Sequence, residues 1–134
     1  MVQNDKMREK YANDGGSVVG QYNEYEEVAT TSSFVTALDV DARGIREALL
    51  IIHNNAGGDL DYQVLGNIKQ LEDIVDPTGT DDDDKGWVVI SSASAATNTA
   101  PDVIALNSPY TRYVVQIKHT SLTTNVDIWF RGTT

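Results

Sequence analysis

Residues 45–68 read IREALLIIHNNAGGDLDYQVLGNI, and the fold turns on whether their first half is helix or strand. Arg46, Glu47, Ala48 and Leu49 are all at home in a helix. Two features favour strand. The apolar run Leu49 to Ile52 is short and ends in the β-branched Ile51 and Ile52. It also meets NNAGGD, Asn54 to Asp59, a glycine-rich connection suited to a hairpin. Beyond it LDYQVLGNI alternates, with Leu60, Tyr62, Val64, Gly66 and Ile68 on one face and Asp61, Gln63 and Asn67 on the other.

The same pattern extends outward in both directions. SFVTALDV, residues 33–40, alternates and stops at the turn DARG, Asp41 to Gly44. KQLEDIV, 69–75, continues the central strand weakly. GWVVISSAS, 86–94, reads as another strand, SASAATNTAP, 92–101, as a loop, and DVIALNSP, 102–109, as a short strand or turn. YTRYVVQIKHT, 110–120, and NVDIWFRG, 125–132, flank SLTT and read as a closing hairpin. About seven short strands without recurrent helices specify an all-β fold, an antiparallel two-sheet β-sandwich of jelly-roll or Ig-like type.

Before Phe34 the chain is polar, with Gly15 and Gly16 followed by YNEYEEV at 22–28. Residues 1–33 are therefore expected to be an extended N-terminal arm, and residues 34–134 the sandwich domain. Tyr11, Tyr22 and Tyr25 are candidates to pack on a neighbouring subunit, because tyrosine gives large contact area at low entropic cost.

The 134 residues carry twenty acids against ten bases, a formal charge of -10 and a pI near 4.4. That charge opposes nucleic acid and anionic membrane surfaces. No signal-peptide core or membrane-length apolar run occurs, so a soluble protein is expected. There is no cysteine, which excludes disulfides, thiolate-held metals and thiol nucleophiles.

The stretch DPTGTDDDDKG, 76–86, has turn chemistry at both ends and four adjacent carboxylates, Asp81 to Asp84. Like charges so close must face water or a cation, so the expectation is an exposed acidic loop. A calcium site stays open because hard cations favour several carboxylate oxygens, although the ligand spacing of an EF-hand is missing, and an engineered insert stays open because DDDDK spells the enterokinase recognition sequence. Neither His53 nor His119 sits in a ligand spacing, and no nucleophile elbow or phosphate loop is present. No catalytic residue, metal or cofactor is therefore expected.

Trp129 stands out. If Val126, Ile128 and Phe130 fill the core, alternation sends Asp127, Trp129 and Arg131 to the opposite face. Either a second layer covers Trp129, or Trp129 and Arg131 anchor a subunit contact. Trp87 is expected at the edge of the core.

SPYTRYVVQIKHTSLTTNVDIWFRGTT, 108–134, resembles the ending of small β-sandwich virion proteins of tailed bacterial and archaeal viruses. In these a Pro-aromatic-x-Arg-aromatic-Val strand is followed by a polar turn and a last strand closing in Arg-Gly. LIIHNNAGGDLDYQVLGNI is similar to their strand-turn-strand unit. The resemblance implies a non-enzymatic structural component, a capsid decoration or head or tail accessory protein with an N-terminal arm reaching a neighbour. It would be assembled in the host cytoplasm into the virion, with copies of itself and other virion proteins as partners. The alternative is a carbohydrate-binding sandwich that stacks exposed Trp or Tyr on sugar rings.

Overall fold

The computed structural model describes residues 21–55, 60–79, 82–96, 100–119 and 123–134. Eight strands run through them: β1 Gln21–Ala29, β2 Val35–Asp41, β3 Glu47–Asn54, β4 Leu60–Asn67, β5 Trp87–Ala96, β6 Asp102–Leu106, β7 Arg112–His119 and β8 Asn125–Thr133. They form two antiparallel four-stranded sheets ordered β1-β8-β3-β6 and β2-β7-β4-β5. This order, with first and last strands adjacent, is that of a jelly roll with two nested Greek keys, which excludes the seven-stranded Ig arrangement.

The ambiguous stretch is indeed a strand: β3 pairs with both β6 and β8. It is not half of a hairpin, however. β3 and β4 lie in different sheets, as do β7 and β8, so both expected hairpins are connections that cross the sandwich. Of all consecutive strands only β4 and β5 pair with each other. Alternation reports which side of a strand is buried but not which sheet the strand joins, so it does not tell a hairpin from a connection that crosses the sandwich.

The expected boundary between arm and sandwich lies too late in the chain. Gln21–Ala29 is an edge strand paired along its length with β8, and Tyr22 is buried in the core against Phe130. Residues 1–20, including Tyr11, lie outside the described residues. SASAAT, expected as loop, continues β5 as far as Ala96. Ile68, expected on the core face, lies past the end of β4 and is exposed.

The core between the sheets is built by alternation. Leu50 and Ile52 of β3 and Val126, Ile128 and Phe130 of β8 meet Leu38 and Val40 of β2, Tyr62 and Val64 of β4, and Val115 and Ile117 of β7. Each such side chain contributes about 2 kcal/mol through burial. At Gly66 the sheet has no room for a side chain: a Cβ there would lie 2.7 Å from the Tyr110 ring and 2.9 Å from Ile90.

Candidate functional site

The two outer faces of the sandwich differ. On the β2-β7-β4-β5 sheet, Leu65 and Val114 point away from the main core and form a second small cluster with Trp87, against which Ile74 packs. Ile74 belongs to the segment between β4 and β5, so the chain covers the Trp87 part of this face with its own connection, while Val89 beside Leu65 stays exposed. The Trp87 indole N–H donates to the Val75 carbonyl at 2.9 Å. Trp87 is thus the centre of a second layer rather than the edge of the first. Arg112 fastens the segment: its guanidinium donates to both oxygens of Asp39, reaches Asp76 at 2.8 Å and lies 5.5 Å from the centre of the Trp87 ring. The Asp39 carboxylate foremost holds the Arg112 pKa above its ordinary value.

The acidic stretch is folded into this cover. Asp82 is buried, contrary to the expectation of an exposed carboxylate. It accepts the backbone N–H groups of Thr78 and Gly79, both at 2.9 Å, and the Thr78 hydroxyl at 3.1 Å, and it lies 3.5 Å from Lys85 Nζ. Burial alone would raise its pKa. The hydrogen bonds from Thr78 and Gly79 and the charge of Lys85 outweigh that and hold it below the usual carboxylate range. Asp83 and Asp84 are exposed and with Lys85 form a single 3₁₀ turn that ends at Gly86 with φ of 89°. Asp81 lies outside the described residues. Among the described residues no cluster of His, Asp or Glu could hold a metal ion.

The β1-β8-β3-β6 sheet has no such cover among the described residues. Register places Tyr25, Trp129, Ile51 and Val103 in one row across all four strands. The next row holds Asn23, Arg131, Leu49 and Ala105. Exposure is 50% at Tyr25, 41% at Trp129, 43% at Leu49 and 59% at Val103, so the strip is open to solvent across the whole sheet. The outward phase of Trp129 and Arg131 agrees with the alternation of β8. The contributions of Leu49, Ile51 and Val103 are not legible within single strands, because only the pairing of β3 with both neighbours brings them alongside Trp129.

The aromatic end of this strip is held in place. Tyr25 and Trp129 stack with ring centres 5.4 Å apart and planes inclined by 34°. The Tyr25 hydroxyl donates to Asp127 Oδ1 at 2.6 Å, and Asn55 donates to Asp127 Oδ2 at 2.8 Å. The bond to Asp127 pushes the Tyr25 pKa up to about 12. Tyr22 plays no part in the strip. Its hydroxyl is turned inward to the buried Glu24, so it is a core residue and not a surface anchor.

No family model matches the sequence, and no curated protein matches it either. Similarity is found among solved structures. A subunit of Bacillus endospore appendages, described as disulfide-linked pili, superposes with a TM-score of 0.56 at 9% identity, covering 87% of each chain. The SPBc2 prophage-derived protein YomS gives 0.53 at 10% identity, covering 88% of this chain and 96% of its own. The Yersinia pseudotuberculosis-derived mitogen gives 0.50 at 14% identity over 84% of both chains. At these identities the likeness establishes a shared sandwich fold. No helix among the described residues is long and apolar enough to cross a membrane.

Proposed function

We propose that this chain is a non-enzymatic structural subunit of a virus particle, a capsid decoration or head or tail accessory protein. It assembles with copies of itself and with other virion proteins through its N-terminal segment and the outer face of the β1-β8-β3-β6 sheet. One observation carries the reading: a chain of net charge -10 bears an apolar row four strands wide that nothing among the described residues covers, whereas on the other sheet Leu65, Val114 and Trp87 are buried with its own connection packed against them. Exposed contiguous apolar surface of that kind marks an interaction site, and an aromatic centre beside an arginine is the usual composition of a contact hot spot.

The fold shared with a pilus-forming appendage subunit and a prophage-derived protein supports a self-assembling role. The linkage differs from that of the pili, because this sequence has no cysteine and its contacts are non-covalent. Light scattering of the full chain over rising concentration, with immunogold labelling of particles from the source of the sequence, tests the proposal. Growth in mass and labelled particles are expected; a monomer at every concentration and unlabelled particles would refute it.

A second reading has its own support in the Tyr25 and Trp129 platform, held by Asp127 and flanked by Asn23 and Arg131, which is the kind of surface on which a sugar ring stacks. Glycan binding abolished by Trp129→Ala would favour that reading. The aliphatic continuation through Ile51 and Val103 offers a sugar no hydrogen bonds and favours protein.

A further inference from the structure

We infer that the outer face of the β1-β8-β3-β6 sheet is self-complementary and closes on a second copy of this chain about a two-fold axis lying along the Tyr25, Trp129, Ile51 and Val103 row. The inference rests on the assembly reading and names the partner of that face. Its basis is the placement of charge on either side of the row. One row along the strands lie Glu27, Asp127 and His53, and one row the other way lie Asn23, Arg131 and Leu49. Acid therefore flanks the strip on one side and base on the other, each about 6.7 Å from it.

Two faces can meet about an axis along the strands or about an axis along the row. In the first arrangement, with the axis at the middle of the four-stranded face, β8 lies over β3, so Arg131 meets Leu49 and Asp127 meets His53, and Arg131 gains no opposite charge. In the second the strand direction reverses, so each copy's Arg131 lies over the other's Asp127, with Glu27 beside it. Charge thus selects the second arrangement, giving two equivalent ion pairs around an apolar centre where the Trp129 rings meet. Asp127 can serve both roles, because its two oxygens have acceptor capacity beyond the bonds from Tyr25 and Asn55.

The size of the face sets the strength of the contact. Four strands about 4.8 Å apart and about four rows about 6.7 Å apart give about 500 Å² per copy. The total of about 1,000 Å² is the lower bound for a specific interface. Association is accordingly weak and concentration-dependent, as suits a subunit recruited to a lattice where other contacts add to this one.

Sedimentation velocity on full-length chains with reversed charges tests the arrangement. Arg131→Glu sets acid over acid in its own dimer, and Asp127→Lys sets base over base. Each alone is expected to weaken self-association by about tenfold or more, whereas an equimolar mixture of the two restores it, because in the mixed pair both contacts again join opposite charges. Asp127→Asn, which keeps an acceptor for Tyr25, weakens it less. Recovery on mixing also shows that both variants are folded. Unchanged association in both variants would overturn the inference while leaving assembly standing, and so would a mixture that stays monomeric. A wild-type chain that is monomeric throughout would remove both.

Discussion

Replacing Asp82 by alanine should open the connection between β4 and β5. The carboxylate accepts three hydrogen bonds, from the Thr78 and Gly79 N–H groups and the Thr78 hydroxyl, and faces Lys85. Hydrogen bonds to a charged group contribute about 1.5–3 kcal/mol each, and bonds sharing one acceptor do not add fully. A loss of about 3 kcal/mol is therefore expected for the segment, which raises its open population roughly a hundredfold at 1.4 kcal/mol per tenfold change. Proteolysis that tracks the open state reads this directly. The bond after Lys85 should resist trypsin and enterokinase in the native protein, because Asp83 to Lys85 form a 3₁₀ turn and the Trp87 N–H is bonded back to the Asp82 carbonyl at 3.3 Å. Trypsin cleavage at Lys85, followed by mass spectrometry, should rise roughly a hundredfold in the Asp82→Ala protein. Native protein cut at Lys85 as fast as a denatured control, or a variant cut no faster than wild type, would refute the reasoning.

The remaining expectations concern the same elements. Arg112→Ala removes the paired bonds to Asp39, the bond to Asp76 and the cation over Trp87; discounted for partial exposure, it should cost about 2 kcal/mol and lower Tm by about 6–10 °C in a calorimetric scan. Gly66→Ala drives a methyl group into Tyr110 and Ile90 and should cost about 2 kcal/mol by urea titration. The Asp82 pKa is depressed on folding, so its contribution is present above the ordinary aspartate pKa and is lost as pH falls through the lower folded value; acid titration of stability should therefore show a loss beginning below about pH 4 that Asp82→Asn lacks. Tyr25 is shifted the other way: its bond to Asp127 is intact below the free tyrosine value and is lost as pH rises towards about 12, and Asp127→Asn should bring its ultraviolet titration back towards about 10.

The sequence and the structure agree where one strand decides the matter. The outward aim of Trp129 and Arg131 follows from the two-residue period of β8 alone, and β3 could be recognised as strand from its short β-branched run. What depended on long-range pairing was hidden. β1 reads as polar arm because it is an edge strand whose outer residues Asn23, Tyr25 and Glu27 meet solvent, while its inward Glu24 is accommodated by the Tyr22 hydroxyl. The Asp82 cap was illegible for a different reason: four identical residues carry no mark of which one the chain will fold over. The apolar row became visible only when register placed Leu49, Ile51 and Val103 next to Trp129, since within their own strands they read as ordinary sheet residues.

The most direct test uses the two tryptophans, of which Trp87 is buried beside the chain's own connection and Trp129 lies exposed on a face without cover among the described residues. Iodide quenching of the full chain over a dilution series, with sedimentation velocity on the same samples, reports whether that face is covered as subunits associate. Quenching should be strong in the dilute monomer and should fall in step with the growth of the assembled species. Assembly that leaves Trp129 as quenchable as in the monomer would contradict the assignment of this face to subunit contact.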